Sequence, residues 1–393
     1  MIGPDPQVVL LGRLELEERR VAQARTVFTT TGPGAPLLGE IAGDRVEALL
    51  TDAQRQLTQL RERLRTGRPG PDEVGTTVSL QAATDRVLSE CLTLAVGALA
   101  RAVGLDSGAC AEADDLVRDI SDEIDRRLFR PTVPATQEEL HRATDVIRRR
   151  VPDHGLWDLA VTAHELGHVV TPAFQSYASI DDRMRRPVEE FLRPYSGARR
   201  IQAGELFCDV FATYTVGPAY PCTLLLHRLD PGAPAVTDPD ATHPGDAVRA
   251  YAVLWTLEEM QENGSHPYRR IIRQLGDAWR ALQRYAGPEA RLTEEQQSEL
   301  RAELRACRPV LEQLRPIRYE WSDNLRDLVP TLERPSAETS PSRPYSRFDV
   351  LNAAWIVRLE AWSRQEQPPP DLEENARKLM NRLAGANGTT GTA

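Results

Sequence analysis

Two histidines and a glutamate stand close together near the middle of the chain, in the order H-E-L-G-H over residues 164–168. Residues four apart on a helix lie one turn above each other, so both imidazoles can converge on one cation. Glu165, beside the first histidine, can reach a metal-bound water instead of the metal. The spacing therefore predicts that His164 and His168 bind a zinc ion and that Glu165 is the general base of a hydrolase.

A catalytic zinc ion takes three protein ligands and keeps a fourth position open. The best candidate for the third ligand is Glu205, which stands four residues before Asp209 in an otherwise apolar segment. Two carboxylates on the core face of one helix are costly unless positive charge meets them, and a zinc-bound histidine pair supplies that charge. We expect Glu205 to bind the metal and Asp209 to accept the N–H of a ligand histidine, which orients the ring.

A third block follows these two, because Thr242-His243-Pro244 is followed by Arg249. H-E-x-x-H with a downstream E-x-x-x-D resembles the gluzincin metallopeptidases, and the third block resembles the T-H-P-x-x-x-x-R block of the HtpX and CaaX-prenyl endopeptidase family. The resemblance implies that His243 lies near the metal, either as a transition-state donor or as a gating ligand in a resting form. It also implies that Arg249 anchors that loop. The match covers residues 156–250 of the 393 and leaves both ends unassigned.

Helices must position these motifs, because most of the chain carries apolar residues at helical spacing. The H-E-x-x-H motif lies in the apolar stretch 157–170, which Pro172 ends. Strand signals are few, and no convincing edge strand precedes this stretch for a peptide substrate to pair with. The predicted fold is mainly α, with a zincin-like metallopeptidase core made of the H-E-x-x-H helix and the E-x-x-x-D helix. The other segments predicted to be helical are 46–64, 80–103, 116–128, 137–150, 293–308 and 349–365.

Three regions are expected along the chain. Residues 1–150 form an N-terminal helical region, residues 151–290 the zincin-like catalytic core, and residues 291–393 a C-terminal helical region with a frayed tail. The sequence does not decide whether the N-terminal helices cover the cleft or bind a protein partner.

Composition narrows the class of protein further. The formal net charge of -10 argues against a nucleic-acid partner. Five scattered cysteines without a C-x-x-C pair favour a reducing compartment. We expect no signal peptide, and the longest apolar stretch, 91–105, contains Arg101 and is shorter than the ~20 residues of a membrane span. A soluble, cytoplasmic protein without a membrane span is expected, although the relatives that the motifs resemble are commonly embedded in membranes.

Several other side chains invite a role near the metal. A tyrosine can donate a hydrogen bond to an oxyanion, and Tyr220 is a better candidate than Tyr214, which would point off the metal face of its helix. Tyr177 is a third candidate. Cys208 is expected to be a small buried residue, and His227 a packing histidine, in preference to metal ligands.

The favoured function is a zinc-dependent metallopeptidase that hydrolyses peptide bonds in a peptide or protein substrate. Two alternatives stay open. One is a non-catalytic helical interaction protein with a structural or vestigial zinc site, and the other is a metal-dependent hydrolase of a small amide or ester. The presence of Glu165 argues against a purely structural site, because such a site needs no base.

Overall fold

The computed structural model describes residues 6–28, 35–67, 71–136, 139–141, 145–151, 155–171, 182–235, 238, 240–261, 268–321, 323–334 and 344–387. This part of the chain contains fifteen α-helices and three short strands, which confirms the prediction of a mainly α protein. The chain divides into two compact units, one formed by residues 1–111 and 130–152 and the other by residues 112–129 and 153–393.

Three long helices form the body of the first unit: α1 (Pro6–Phe28), α2 (Ala35–Thr66) and α3 (Pro71–Ala102). The predicted helix 46–64 lies within α2, and Leu50, Leu57 and Leu64, which are seven residues apart, are buried against the other two helices. Helix α3 covers the predicted helix 80–103 to within one residue. These helices follow directly from apolar residues at helical spacing.

The first unit also contains a three-stranded sheet of β1 (Thr132–Ala135), β2 (Glu139–His141) and β3 (Val146–Arg150). The order is β1-β3-β2, with β1 parallel and β2 antiparallel to β3. The predicted helix 137–150 is therefore wrong, and strands do precede the H-E-x-x-H motif in the sequence. The first four residues of β3 are all buried, so its sequence lacks the alternation that marks a strand with one solvated face.

The second unit is helical. Among its described residues, no strand is found, and nowhere in the described chain is a helix both long and apolar enough to cross a bilayer. Its helices are α4 (Ala109–Ile124, from Glu112 onward), α5 (Val161–Val170), α6 (Asp182–Leu192), α7 (Gly197–Val216), α8 (Ala219–Thr223), α9 (Asp246–Glu259), α10 (Tyr268–Ala286), α11 (Glu294–Arg305), α12 (Arg308–Gln313), α13 (Asn324–Glu333), α14 (Arg347–Ser363) and α15 (Leu372–Asn387).

Helices α5 and α7 carry the two predicted metal motifs and pack directly on each other. A glycine makes this close packing feasible, since a Cβ atom on Gly167 would lie only 3.0 Å from the Cα and 3.1 Å from the Cβ of Cys208. A larger residue at 167 would crowd the backbone of α7 at Cys208. The close approach of α5 to α7 is what brings the histidines of one helix to the carboxylates of the other.

The turn after α7 is held by α14. Gly217 has a φ of 79°, and a Cβ there would lie 2.2 Å from the Tyr319 ring, so glycine is required on both counts. The buried Asn352 side chain donates to the Val216 carbonyl and accepts the Ala219 N–H, both at 2.7 Å. This clamp sets the direction in which α8 leaves α7, and α8 carries a side chain of the metal centre.

Candidate metal centre

The two histidines of α5 are presented from a fully buried helix. Every residue from Val161 to Val170 is buried, and the His164 and His168 side chains are only 5% and 11% exposed. Their ring centroids lie 5.0 Å apart with the planes at 86°. The four-residue spacing thus brings both imidazoles to one side of the helix, as the sequence predicts.

The third predicted ligand meets these rings from α7. The Oε2 atom of Glu205 lies 3.3 Å from Nε2 of His164 and 3.6 Å from Nε2 of His168. This oxygen is buried and accepts no hydrogen bond from the described residues. Ligand atoms of the three side chains all lie within 4.8 Å of one another, and no other described residues form such a group. The cluster of His164, His168 and Glu205 can therefore hold a metal ion.

The spacing of these atoms fits a small tetrahedral cation. Zinc bonds of about 2.0–2.1 Å in a tetrahedron place neighbouring ligand atoms about 3.4 Å apart. The two nitrogen–oxygen distances, 3.3 and 3.6 Å, bracket this value. They are longer than the usual hydrogen bond between a ring N–H and a carboxylate. A buried carboxylate oxygen that faces two imidazole nitrogens without a hydrogen bond is an arrangement that a shared cation would complete.

Asp209 orients the first histidine by contacting Nδ1, the ring nitrogen that does not face Glu205. Its Oδ1 atom lies 2.9 Å from Nδ1 of His164, and it also accepts the Tyr220 hydroxyl at 2.5 Å. Arg249, on α9, donates to both oxygens of Asp209 at 2.8 Å. A proton held on Nδ1 by this carboxylate leaves the lone pair of Nε2 for a metal. Asp209 thus lies against the Nδ1 side of the His164 ring, and Arg249 balances its charge.

The charges of these groups depend strongly on one another. Burial alone would lower the pKa of His164, but the carboxylates of Asp209 and Glu205 raise it to about 10. Burial works against ionisation of Glu205 as well, yet the neighbouring histidines lower its pKa to about 2. The pKa of Asp209 lies well below its usual range despite burial, because Arg249 and His164 face it. At neutral pH both carboxylates are ionised and His164 is protonated, so a metal ion that binds here must displace the proton on Nε2.

Cys208 contacts the second histidine. Its Sγ atom lies 3.3 Å from Nδ1 of His168 and 3.7 Å from the hydroxyl of Thr171. Burial raises the pKa of this thiol well above its ordinary value, so sulfur is present as the neutral thiol. Cys208, expected from the sequence to be only a small buried residue, therefore contacts one of the predicted ligands. Its position three residues after Glu205, on the same side of the helix, is the signal that indicates this contact.

His243 approaches the centre from the loop before α9. Its Nε2 atom lies 3.4 Å from Oε2 of Glu205, and the Thr242 hydroxyl lies 3.0 Å from its Nδ1. The His243 side chain is 58% exposed, unlike the three residues of the cluster, and it is not one of that group. The structure thus brings His243 to the edge of the centre that faces solvent.

Other predicted residues lie in different places. Glu165 is 6% exposed and interacts electrostatically with His164. The Tyr220 hydroxyl lies 3.0 Å from Nδ1 of His164 and donates to Asp209, on the side of the ring away from Nε2. Tyr177 lies outside the described residues. His227 packs against Trp355, with ring centroids 5.3 Å apart.

The class of site is defined by these contacts: a buried pair of histidines and a glutamate, with an aspartate–arginine pair behind one histidine. Comparison with known protein families, curated proteins and solved structures finds no match for this chain.

Proposed function

We propose that the protein is a zinc-dependent metallopeptidase whose zincin-like core is formed by α5 and α7. The observation that carries this proposal is the buried Oε2 atom of Glu205, which faces Nε2 of His164 and of His168 and accepts no hydrogen bond from the described residues. Nitrogen and carboxylate oxygen are the donors that zinc accepts in hydrolases. Three protein ligands also leave room for a water molecule.

The residues around this group favour a bound zinc ion over a cluster of charged side chains that interact without a metal. His164, His168 and Glu205 would hold the ion, with Asp209 and Cys208 orienting the two rings. When bound, zinc lowers the pKa of a coordinated water toward ~7 and polarises a carbonyl group. A calcium or magnesium ion would instead prefer a set made of oxygen ligands.

Glu165 is the residue that distinguishes a hydrolase from a structural site. It is adjacent to His164 in sequence and buried with it, so a low-dielectric environment surrounds its carboxylate. In the proposed reaction, Glu165 accepts a proton from the attacking water and delivers it to the leaving nitrogen of the scissile bond. A structural site would have no use for this carboxylate.

His243 is the exposed member of the centre and the one best placed to meet a substrate. In the proposed reaction, its ring donates a hydrogen bond to the oxygen of the scissile carbonyl as negative charge develops there. Its 3.4 Å approach to Glu205 keeps it beside the ligand group without making it part of the buried cluster.

The test is a comparison of Glu165→Gln with a control, Glu299→Gln, in which the same change is made on an exposed part of α11. Each protein is assayed for zinc content and for cleavage of a peptide library. We expect Glu165→Gln to keep its zinc and to lose at least about 100-fold in cleavage rate, because proton transfer contributes that much. The control should match the parent in both measurements.

Equal cleavage by Glu165→Gln and the parent would contradict the role of Glu165. A parent that holds stoichiometric zinc but cleaves no peptide in the library, while hydrolysing small amides or esters, would favour the small-substrate alternative.

A further inference from the structure

A groove on the second unit, separate from the metal centre, is lined by arginines. It lies between α9, α10 and α11 and has a cavity volume of about 730 Å³. An adjoining recess of about 330 Å³ shares Arg280 and Arg291 with it and adds Arg284. The chain as a whole carries a formal net charge of -10, opposite in sign to this groove.

Four of these arginines form one row along α10: Arg269, Arg273, Arg280 and Arg284. Each residue of a helix turns the chain by about 100° around the axis. Arg273, Arg280 and Arg284, which follow Arg269 by four, eleven and fifteen residues, therefore all lie within about 60° of it. The row is about 22 Å long, since each residue adds about 1.5 Å. Gly276 lies in the middle of the row. A Cβ on Gly276 would lie within 4 Å of the Arg280 guanidinium.

Most of this charge is not neutralised within the protein. Arg280 pairs with Asp277 at 2.6 Å, and Arg301 donates to the Tyr251 hydroxyl at 3.0 Å. In contrast, Arg269, Arg273, Arg284 and Arg291 form no ion pair with any described residue. Unpaired arginines on a convex surface are simply solvated, but here they border a concave one, where their fields overlap.

The floor of the groove is apolar. Trp255 and Trp279 are buried beneath it, at 4% and 6% exposure, and Leu254, Ile272 and Leu292 complete it. One acidic residue, Glu258, also lines the groove, and burial raises its pKa. A ligand that fits both features carries negative charges along an extended backbone, with apolar groups between them.

We propose that this groove binds an extended acidic segment of a partner polypeptide. In an extended strand, alternate side chains point the same way about 6.6 Å apart, which is close to the ~6 Å rise within each of the pairs Arg269–Arg273 and Arg280–Arg284. The seven-residue separation of Arg273 and Arg280 adds about 10.5 Å. Every second residue of the segment is acidic and faces this row, and the residues between them meet the apolar floor. A single-stranded nucleic acid fits less well, because the two tryptophans are too deeply buried to stack on its bases.

The test uses the full-length chain and a fluorescein-labelled nonapeptide in which glutamate alternates with leucine. Binding is followed by anisotropy, and mass spectrometry checks that the peptide stays intact. A glutamine–leucine peptide and a labelled oligothymidylate are the comparison ligands. The groove variant is Arg269→Gln with Arg273→Gln, and the matched control is Arg126→Gln with Arg326→Gln, which removes the same charge at side chains 85% and 82% exposed.

We expect the parent to bind the glutamate peptide in preference to the glutamine peptide, with affinity falling as salt rises. The groove variant should bind at least about tenfold more weakly, since each lost arginine removes a charge-assisted hydrogen bond. The control pair should match the parent. Equal affinity of the two variants, tighter binding of oligothymidylate, or no binding of the glutamate peptide by the parent would each overturn the proposal. The groove shares no residue with the metal cluster, so none of these outcomes depends on the proposed hydrolysis.

Discussion

The Nδ1 atom of His164 lies 2.9 Å from the Oδ1 atom of Asp209, and this contact determines which ring nitrogen faces the metal centre. A histidine whose Nδ1 proton is held by a carboxylate offers Nε2 as the ligand atom. The two residues lie on different helices, α5 and α7, so the contact forms only because those helices pack closely.

Changing Asp209→Asn should weaken zinc binding by about 10- to 100-fold, because the ring loses the partner that orients it and raises its basicity. Zinc affinity is measured by competition with a chromophoric chelator. Asp122→Asn, at a side chain 44% exposed, is the control and should leave the affinity unchanged. Parent-like affinity in Asp209→Asn would show that the contact does not support the metal.

Changing Arg249→Met should lower the free energy of unfolding by about 3–5 kcal/mol, because it leaves the charge of the fully buried Asp209 without its ion-pair partner. All six tryptophans lie in the second unit, so their fluorescence in a denaturant titration follows that unit alone. Arg326→Met, at a side chain 82% exposed, should change the value by less than about 0.5 kcal/mol.

A double-mutant cycle gives this prediction a second readout. In the Arg249→Met background, Asp209→Asn should cost less than it does alone, because the unpaired charge is then removed. Additive effects of the two changes would argue against a direct pair.

Changing Gly167→Ala should destabilise the second unit by about 1–3 kcal/mol and weaken zinc binding, because the new Cβ would lie 3.0 Å from the Cα of Cys208. The control is Gly75→Ala on α3, where a Cβ meets nothing within 4 Å. That change should stabilise the first unit by about 0.5–1 kcal/mol, because alanine is the better helix former. Unfolding of both units is followed by circular dichroism. A Gly167→Ala variant as stable as the parent would show that α5 and α7 can accommodate the added methyl group.

Removing the metal should destabilise the second unit specifically. With free zinc at about 100 times its dissociation constant, the bound ion contributes about 2.7 kcal/mol, which a chelator removes. Tryptophan fluorescence gives the size of the effect. His168→Ala should unfold at the same denaturant concentration with and without chelator, and a chelator effect as large as that of the parent would place the ion elsewhere.

All five thiols should react slowly in the folded protein. Each cysteine is buried, and burial raises the pKa of Cys91 to about 11 and that of Cys110 to about 12. A raised pKa keeps a thiol protonated at pH 8, so the reactive thiolate stays below about 1% at that pH. A chromogenic disulfide reagent should find no rapidly reacting thiol at pH 8 and five after unfolding in guanidinium. A rapid native thiol would contradict the packing around that residue.

The amino-acid sequence alone was sufficient for features that depend on neighbours along the chain. His164 and His168 share one face because they are four residues apart, and the same holds for Glu205 and Asp209. The helix over 46–64 follows from leucines at helical spacing. In each case, the period of the α-helix relates position to direction.

Features that depend on distant segments were decided by the tertiary structure. The segment 137–150 contains strands, against the prediction, because β3 lies between two other strands and is buried. Tyr220 reaches Asp209 only because Asn352 and Gly217 set the turn before α8, and the arginines of α10 border a groove only because α9 and α11 lie beside them. A sequence period describes one element, whereas close packing of separate elements brings side chains into contact and determines which charges are buried together.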